Sequence, residues 1–239
     1  MRILALDTST DVASVAISEA GVIIGEYSCN KGKTHSQKLM PMIQSLLDKV
    51  GLSAADMDAF SASIGPGSFT GLRIGVTTVK AMAFAAGKPV ISVPTLDALA
   101  YNLPMSTSLI CPMIDARNNQ VFTAVYRFIN GKLKRLTDYL GIHINELVDI
   151  ILPMEGEVVL LGDAAGMHGD FFTQQLGERV YIAPQNTALA KASSVAALAC
   201  DAYTAGKLEN CYDMVPFYLR KSQAEREREN SENKVKAND

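Results

Sequence analysis

The sequence predicts an α/β protein built as two tandem lobes, each a mixed sheet with helices packed on it. Three observations carry that prediction. Short, continuous apolar runs of strand length alternate with longer segments whose apolar residues recur at helical spacing. The order strand, strand, strand, helix, strand, helix, strand, helix occurs twice, once in each half of the chain. The first strand of each half also ends on aspartate: Leu4-Ala5-Leu6-Asp7 is echoed by Pro112-Met113-Ile114-Asp115.

In the first half, Ile3 to Leu6 reads as a buried central strand and Asp7 to Asp11 as a polar turn. Val12 to Ile17 and Val22 to Tyr27 read as two more strands joined at Ala20-Gly21. Lys38 to Val50 carries Leu39, Met42, Ile43, Leu46 and Leu47 at helical spacing, with Gly51 past its end and Pro41 suited to its first turn. Ala59 to Ile64 is a strand, Gly71 to Ala86 a helix, Pro89 to Val93 a strand and Thr95 to Tyr101 a short helix.

The second half repeats this order. Strands are expected at Leu109 to Ile114, Gln120 to Arg127 and Lys132 to Tyr139, then a helix at Ile144 to Leu152 and a strand at Val158 to Leu161. A helix at Gly166 to Leu176, a strand at Val180 to Ile182 and a helix at Ser193 to Ala205 complete it. Two such units imply the duplicated ribonuclease-H-like fold of the actin-like ATPase and sugar-kinase superfamily. The expected lobes are residues 1–102 and 103–221, divided where Pro104, Ser106, Thr107 and Ser108 interrupt the pattern. Residues 222–239 carry almost nothing apolar and are expected to be a charged, disordered tail.

Composition narrows the function classes. A hydrophobic content of 48% and a charged content of 20% fit a globular protein of 239 residues. A net charge of -3 argues against a free-standing nucleic-acid binder. No apolar run reaches the roughly 18 residues a membrane helix needs, and the opening apolar run is too short for a signal peptide. Cys29, Cys111, Cys200 and Cys211 lack metal-type spacing and are expected to be reduced, which places the chain in the cytoplasm.

The block Gly65-Pro66-Gly67-Ser68-Phe69-Thr70-Gly71-Leu72-Arg73-Ile74-Gly75 follows a strand and opens a helix. Ser68 and Thr70 are candidate N-caps, and such a helix start is a possible anion site. The helix has two stripes, an apolar one through Leu72, Val76, Val79 and Ala83 and a small-residue one through Gly71, Gly75, Thr78 and Met82, with Ile74, Ala81 and Ala85 beside it. Only Arg73 and Lys80 supply charge, so the helix needs cover on two sides, from its own domain or from a partner.

Weak nucleotide-binding candidates are Asp7, Thr8, Ser9, Gly65 and Gly67, with Gly162 opening the corresponding helix of the second half. Asp7 either positions a metal–phosphate or caps its own turn, and Asp115 invites the same pair of readings. His35, His143 and His168 are scattered and make no two-histidine metal spacing. Neither a nucleophile elbow nor a Walker-type loop is present. The residues give a nucleotide-binding shape without a catalytic set, so no catalytic and no metal residue is assigned.

Leu4 to Ser9, His35 to Pro41, the glycine-rich block and Pro216-Phe217-Tyr218-Leu219-Arg220 together resemble the TsaB (YeaZ) family, in order along almost the whole chain. That resemblance implies a part in making threonylcarbamoyladenosine beside the anticodon of tRNAs that read codons beginning with A. It implies a non-catalytic subunit that works with the homologous catalytic subunit TsaD and the ATPase TsaE and reaches tRNA only through the complex. No cofactor of its own is implied, with ATP or ADP possible at the interface with TsaD. The family's TsaD relatives hold a metal on an HxxxH pair just after the strand that follows the glycine-rich helix. Here that spacing falls on Thr95 and Leu99, which argues against catalysis by this chain.

Family members dimerise, or pair with TsaD, through the two helices of the first lobe. The residues so implied are His35, Leu39, Met42, Ile43, Leu46, Gly71, Ile74, Gly75, Thr78 and Met82. The rival reading is an ATP-dependent phosphotransferase of the actin-like superfamily, with Asp7, Gly67 and Gly162 around a nucleotide–magnesium complex.

Overall fold

A computed structural model describes residues 1–31 and 34–220, so the expected charged tail lies outside the described residues. The first lobe contains β1 (Arg2–Asp7), β2 (Ala13–Glu19), β3 (Val22–Cys29), α1 (His35–Val50), β4 (Ala59–Gly65), α2 (Phe69–Ala86) and β5 (Val90–Pro94). Its sheet runs in the order β3-β2-β1-β4-β5. β1 pairs antiparallel with β2 and parallel with β4, so the three-strand meander feeds the parallel side as expected. Helix α3 (Thr95–Ala100) follows.

The second lobe holds β6 (Leu109–Asp115), β7 (Gln120–Thr123), β8 (Tyr126–Ile129), β9 (Lys132–Arg135), β10 (Leu140–His143), α4 (Ile144–Ile151), β11 (Val158–Leu161), α5 (Asp163–Leu176), β12 (Val180–Ile182), α6 (Gln185–Ala188) and α7 (Ala192–Thr204). Its main path is β10-β7-β6-β11-β12. Here the expected meander is corrected. The run Gln120 to Arg127 breaks at Ala124-Val125 into β7 and β8, and both pair with β6. The third meander strand is β10, paired with β7, whereas β9 within the expected Lys132 to Tyr139 strand pairs only with β8.

Helix α1 begins at His35, earlier than Pro41 suggested, and Pro41 lies well inside it on an exposed face. Its C-cap Gly51 adopts φ 70°, a left-handed conformation that suits glycine. Leu39, Ile43 and Leu46 turn inward, each at most 2% exposed, onto Leu4, Leu6, Val15 and Phe60.

The sheets follow the two halves of the chain, but two of the helices, α3 and α7, do not. Helix α7, from the second half, packs on the first sheet: Val195, Ala196 and Ala199 cluster with Ile3, Ala5, Ile91 and Val93. In exchange, Leu96, Leu99 and Ala100 of α3 pack with Ile110, Ile114 and Tyr126 of the second lobe. The backbone amides of Ala192 and Ser193 donate to Ser14 Oγ (2.9 Å) and Glu26 Oε1 (2.9 Å), which anchors the start of α7 to β2 and β3. Residues 207–220 then return as a strap along the first lobe. Glu209 exchanges backbone hydrogen bonds with Val90, and the Phe217 amide donates to the Ile64 carbonyl at 2.7 Å. A cut at residue 102 therefore separates the sheets without separating the packing units.

Candidate functional site

The turn after β1 and the loop before α2 meet at the mouth of the first lobe. Asp7 is buried there, and its carboxylate is fully engaged. The Ser9 amide (2.9 Å) and Ser9 hydroxyl (2.7 Å) donate to Oδ1, and the Ser63 hydroxyl donates to Oδ2. Burial pushes the Asp7 carboxyl up from its ordinary value, against the Ser63 and Ser9 hydrogen bonds and the nearby His35. This is a carboxylate closing its own turn.

The glycine-rich loop packs directly on that turn, and a polar pocket of about 490 Å³ lined by Asp11, His35, Lys38, Ser68 and Thr70 among others opens beside them. Gly65 takes φ 124°, closed to ordinary side chains, and a β-carbon there would collide with the Phe217 carbonyl of the strap. A β-carbon at Gly67 would strike the Ser9 carbonyl, and the Ser68 amide donates to that same carbonyl at 2.7 Å. Thr8 Oγ1 donates to the Gly71 carbonyl at 2.8 Å. Asp7, Thr8, Ser9, Gly65 and Gly67 do come together, but as a packed joint between two backbones.

In the second lobe, the Asp115 and Ala164 amides donate to Asp163 Oδ1 (3.0 and 2.8 Å), and Asp115 pairs with Arg117 at 3.2 Å. A β-carbon at Gly162 would collide with the Met113 carbonyl, so this turn is close-packed too. Among the described residues, no group of three His, Cys, Asp or Glu side chains is placed to hold a metal ion. Two of the histidines serve local structure: His143 Nδ1 accepts from the Asn145 amide at the start of α4, and His35 Nε2 meets the Thr10 carbonyl at 2.8 Å.

The helix faces correct the expected interface set. Leu39, Ile43 and Leu46 are core residues and present nothing outward. Gly71 and Gly75 are buried as well; a β-carbon at Gly71 would strike the Thr8 carbonyl and one at Gly75 the Thr8 hydroxyl. The small-residue stripe thus admits the β1 turn and not a foreign helix. His35 is half-buried against Thr10, and Met42 packs against the core. Ile74 and Met82 pack on the core in the same way as Met42, but with Thr78 they also face outward, joined by Met40, Thr77, Ala81 and Ala85, of which the sequence placed only Ala81 and Ala85 beside the small-residue stripe. With Ser36 and Arg73 these line a shallow groove of about 680 Å³. Met40 is 50% exposed and Phe84, further along α2, 65% exposed. The signal available in the sequence was that Phe84 and Met40 lie off the core stripes of their helices.

A family model described as TsaD, tRNA N6-adenosine threonylcarbamoyltransferase, matches residues 27–228. The tRNA threonylcarbamoyladenosine biosynthesis protein TsaB of Bacillus subtilis is 31% identical over 94% of this chain and 96% of its own length. The chain belongs to the TsaB family. The TsaB of Escherichia coli is 29% identical over 94% of this chain and 96% of that protein. The solved structure of YeaZ from Pseudomonas aeruginosa superposes with a TM-score of 0.77 at 27% identity, covering 91% of this chain and 99% of that one. The family is thus one of tRNA threonylcarbamoyladenosine biosynthesis, on the duplicated ribonuclease-H-like fold.

For a TsaB-family chain, the positions of Thr95 and Leu99 carry further meaning. Both are buried in α3, at 0% and 1% exposure, and Leu99 lies in the apolar cluster that joins α3 to the second sheet. No helix among the described residues is long and apolar enough to cross a membrane.

Proposed function

We propose that this chain is a non-catalytic scaffold subunit of the tRNA threonylcarbamoyladenosine synthesis complex, which pairs with and activates the metal-dependent threonylcarbamoyltransferase TsaD. The observation that carries the reading is the outward face of α1 and α2. It is apolar, partly exposed and backed by the buried core cluster of the first lobe. Exposed apolar surface of this kind marks an interaction site. The occupied turn at Asp7 and the buried Thr95 and Leu99 fit a scaffold rather than an enzyme, and the former counts against the phosphotransferase reading.

In this account a TsaD-type protein covers the α1–α2 face, a TsaE-type ATPase joins the assembly, and two copies of this chain use the same face when no partner is present. No cofactor is assigned to this chain itself, tRNA is reached only through the complex, and the assembly works in the cytoplasm. The test is co-purification of the full chain with a TsaD-type protein, followed by a tRNA modification assay with and without it. Pairing and a rise in modification support the proposal. A TsaD-type enzyme that neither binds the chain nor responds to it refutes the proposal.

A further inference from the structure

Arg73 stands on the ridge of α2 between two apolar grooves. One is the α1-side groove; the other, of about 590 Å³, lies between α2 and the strap and is lined by Phe84, Tyr212, Met214 and Val215 among others. Among the residues lining the two grooves, Arg73 and Lys80 are the only charged ones. Lys80 is committed, since its ammonium donates to the Tyr212 (3.2 Å) and Met214 (2.8 Å) carbonyls. Among the described residues Arg73 is held but not neutralised. Its guanidinium lies 3.9 Å over the Phe69 ring, and its Nε–H donates to the Tyr218 hydroxyl at 3.2 Å. Phe69 and Tyr218 themselves stack at 4.7 Å. Among the described residues no carboxylate pairs with Arg73, and its Nη groups donate to nothing.

A guanidinium fixed in this way has paid its ordering cost before a partner arrives, and its planar fork matches a carboxylate. Covering it with purely apolar surface would strand a charge away from water. Resting on the scaffold reading above, we propose that Arg73 is a carboxylate receptor at the centre of the docking face. The partner segment covering α2 brings an Asp or Glu side chain onto the Arg73 fork and apolar side chains into the two grooves. The strap is then part of the interface, because Tyr218 aims the guanidinium.

The test measures affinity of the full chain for a TsaD-type protein across ionic strengths, for wild type, Arg73→Gln, Arg73→Lys, Thr78→Arg and, as a control for net charge, Lys132→Gln in the second lobe. Arg73→Gln is expected to weaken pairing about thirtyfold or more and to flatten its salt dependence. Arg73→Lys falls between, and Lys132→Gln pairs as wild type. If Arg73→Gln pairs within about twofold of wild type while Thr78→Arg does not pair, the carboxylate proposal falls and the scaffold reading stands. Weakened pairing with an unchanged salt dependence assigns Arg73 to support of the strap and likewise overturns the proposal. So does displacement of the partner by ATP-magnesium or inorganic phosphate acting through Arg73. Absence of pairing by wild type removes both.

Discussion

The Thr8 hydroxyl donates to the Gly71 carbonyl at 2.8 Å, so the turn after the first strand is bolted to the first turn of α2. Gly75, one helical turn further on, lies under the same hydroxyl with no room for a β-carbon. Gly75→Ala is therefore expected to destabilise the fold by about 1–3 kcal/mol through overpacking. Thr8→Ala in the same chain removes the obstructing oxygen and should recover part of that loss. Gly71→Ala meets the Thr8 backbone carbonyl, which no side-chain change removes, and should not be rescued. Urea unfolding of the single and double variants measures the coupling. Additive losses for Gly75→Ala and Thr8→Ala contradict the packing.

Asp7 supplies a pH signature. Its folded-state carboxyl is raised above the ordinary value near 3.8, with burial as the leading cause. A raised acid binds its proton more tightly when folded. Its contribution to stability is thus greatest below the unfolded value and is lost as pH rises through the folded one. Asp7→Asn keeps the acceptor oxygen for Ser9 and removes this titration. The stability of Asp7→Asn relative to wild type should accordingly improve as pH rises from about 4 toward neutrality. Thermal melting across that range checks it. A relative loss with rising pH would mean that the ionised carboxylate is favoured in the fold.

Asp97 joins the lobes through tyrosine. Its Oδ1 accepts from the Tyr126 (2.7 Å) and Tyr139 (2.9 Å) hydroxyls, both of whose acidities are depressed by burial and by that carboxylate. Asp97→Ala strands the buried Tyr126 hydroxyl and should cost about 1–3 kcal/mol. With Tyr126→Phe already present the same substitution should cost less, since no hydroxyl on that ring remains to be stranded. Chemical denaturation of the cycle measures the difference; equal costs in both backgrounds contradict the linkage.

The strand–helix order was legible because apolar runs and helical spacing follow directly from what each element buries. The exchange of α3 and α7 between sheets was not. An apolar stripe such as Val195, Ala196 and Ala199 tells that a helix is covered, not which sheet covers it. The same blindness misassigned Leu39, Ile43 and Leu46, whose spacing reads identically for a core and for an interface. Gly71 and Gly75 looked like a docking stripe because glycine marks close approach without naming what approaches; here it is Thr8. Pairing of Arg73 with Tyr218 joins residues 145 positions apart, a distance no local pattern spans.

Threonylcarbamoylation of tRNA by a TsaD-type enzyme, measured with no addition, with this chain, and with its Thr78→Arg variant, tests the scaffold account most directly. Thr78 lines the outward groove, so the arginine should leave the melting temperature of the isolated chain within a few degrees of wild type. Wild type is expected to stimulate strongly and the variant not at all. Equal activity in all three reactions, or full stimulation by Thr78→Arg, would contradict it.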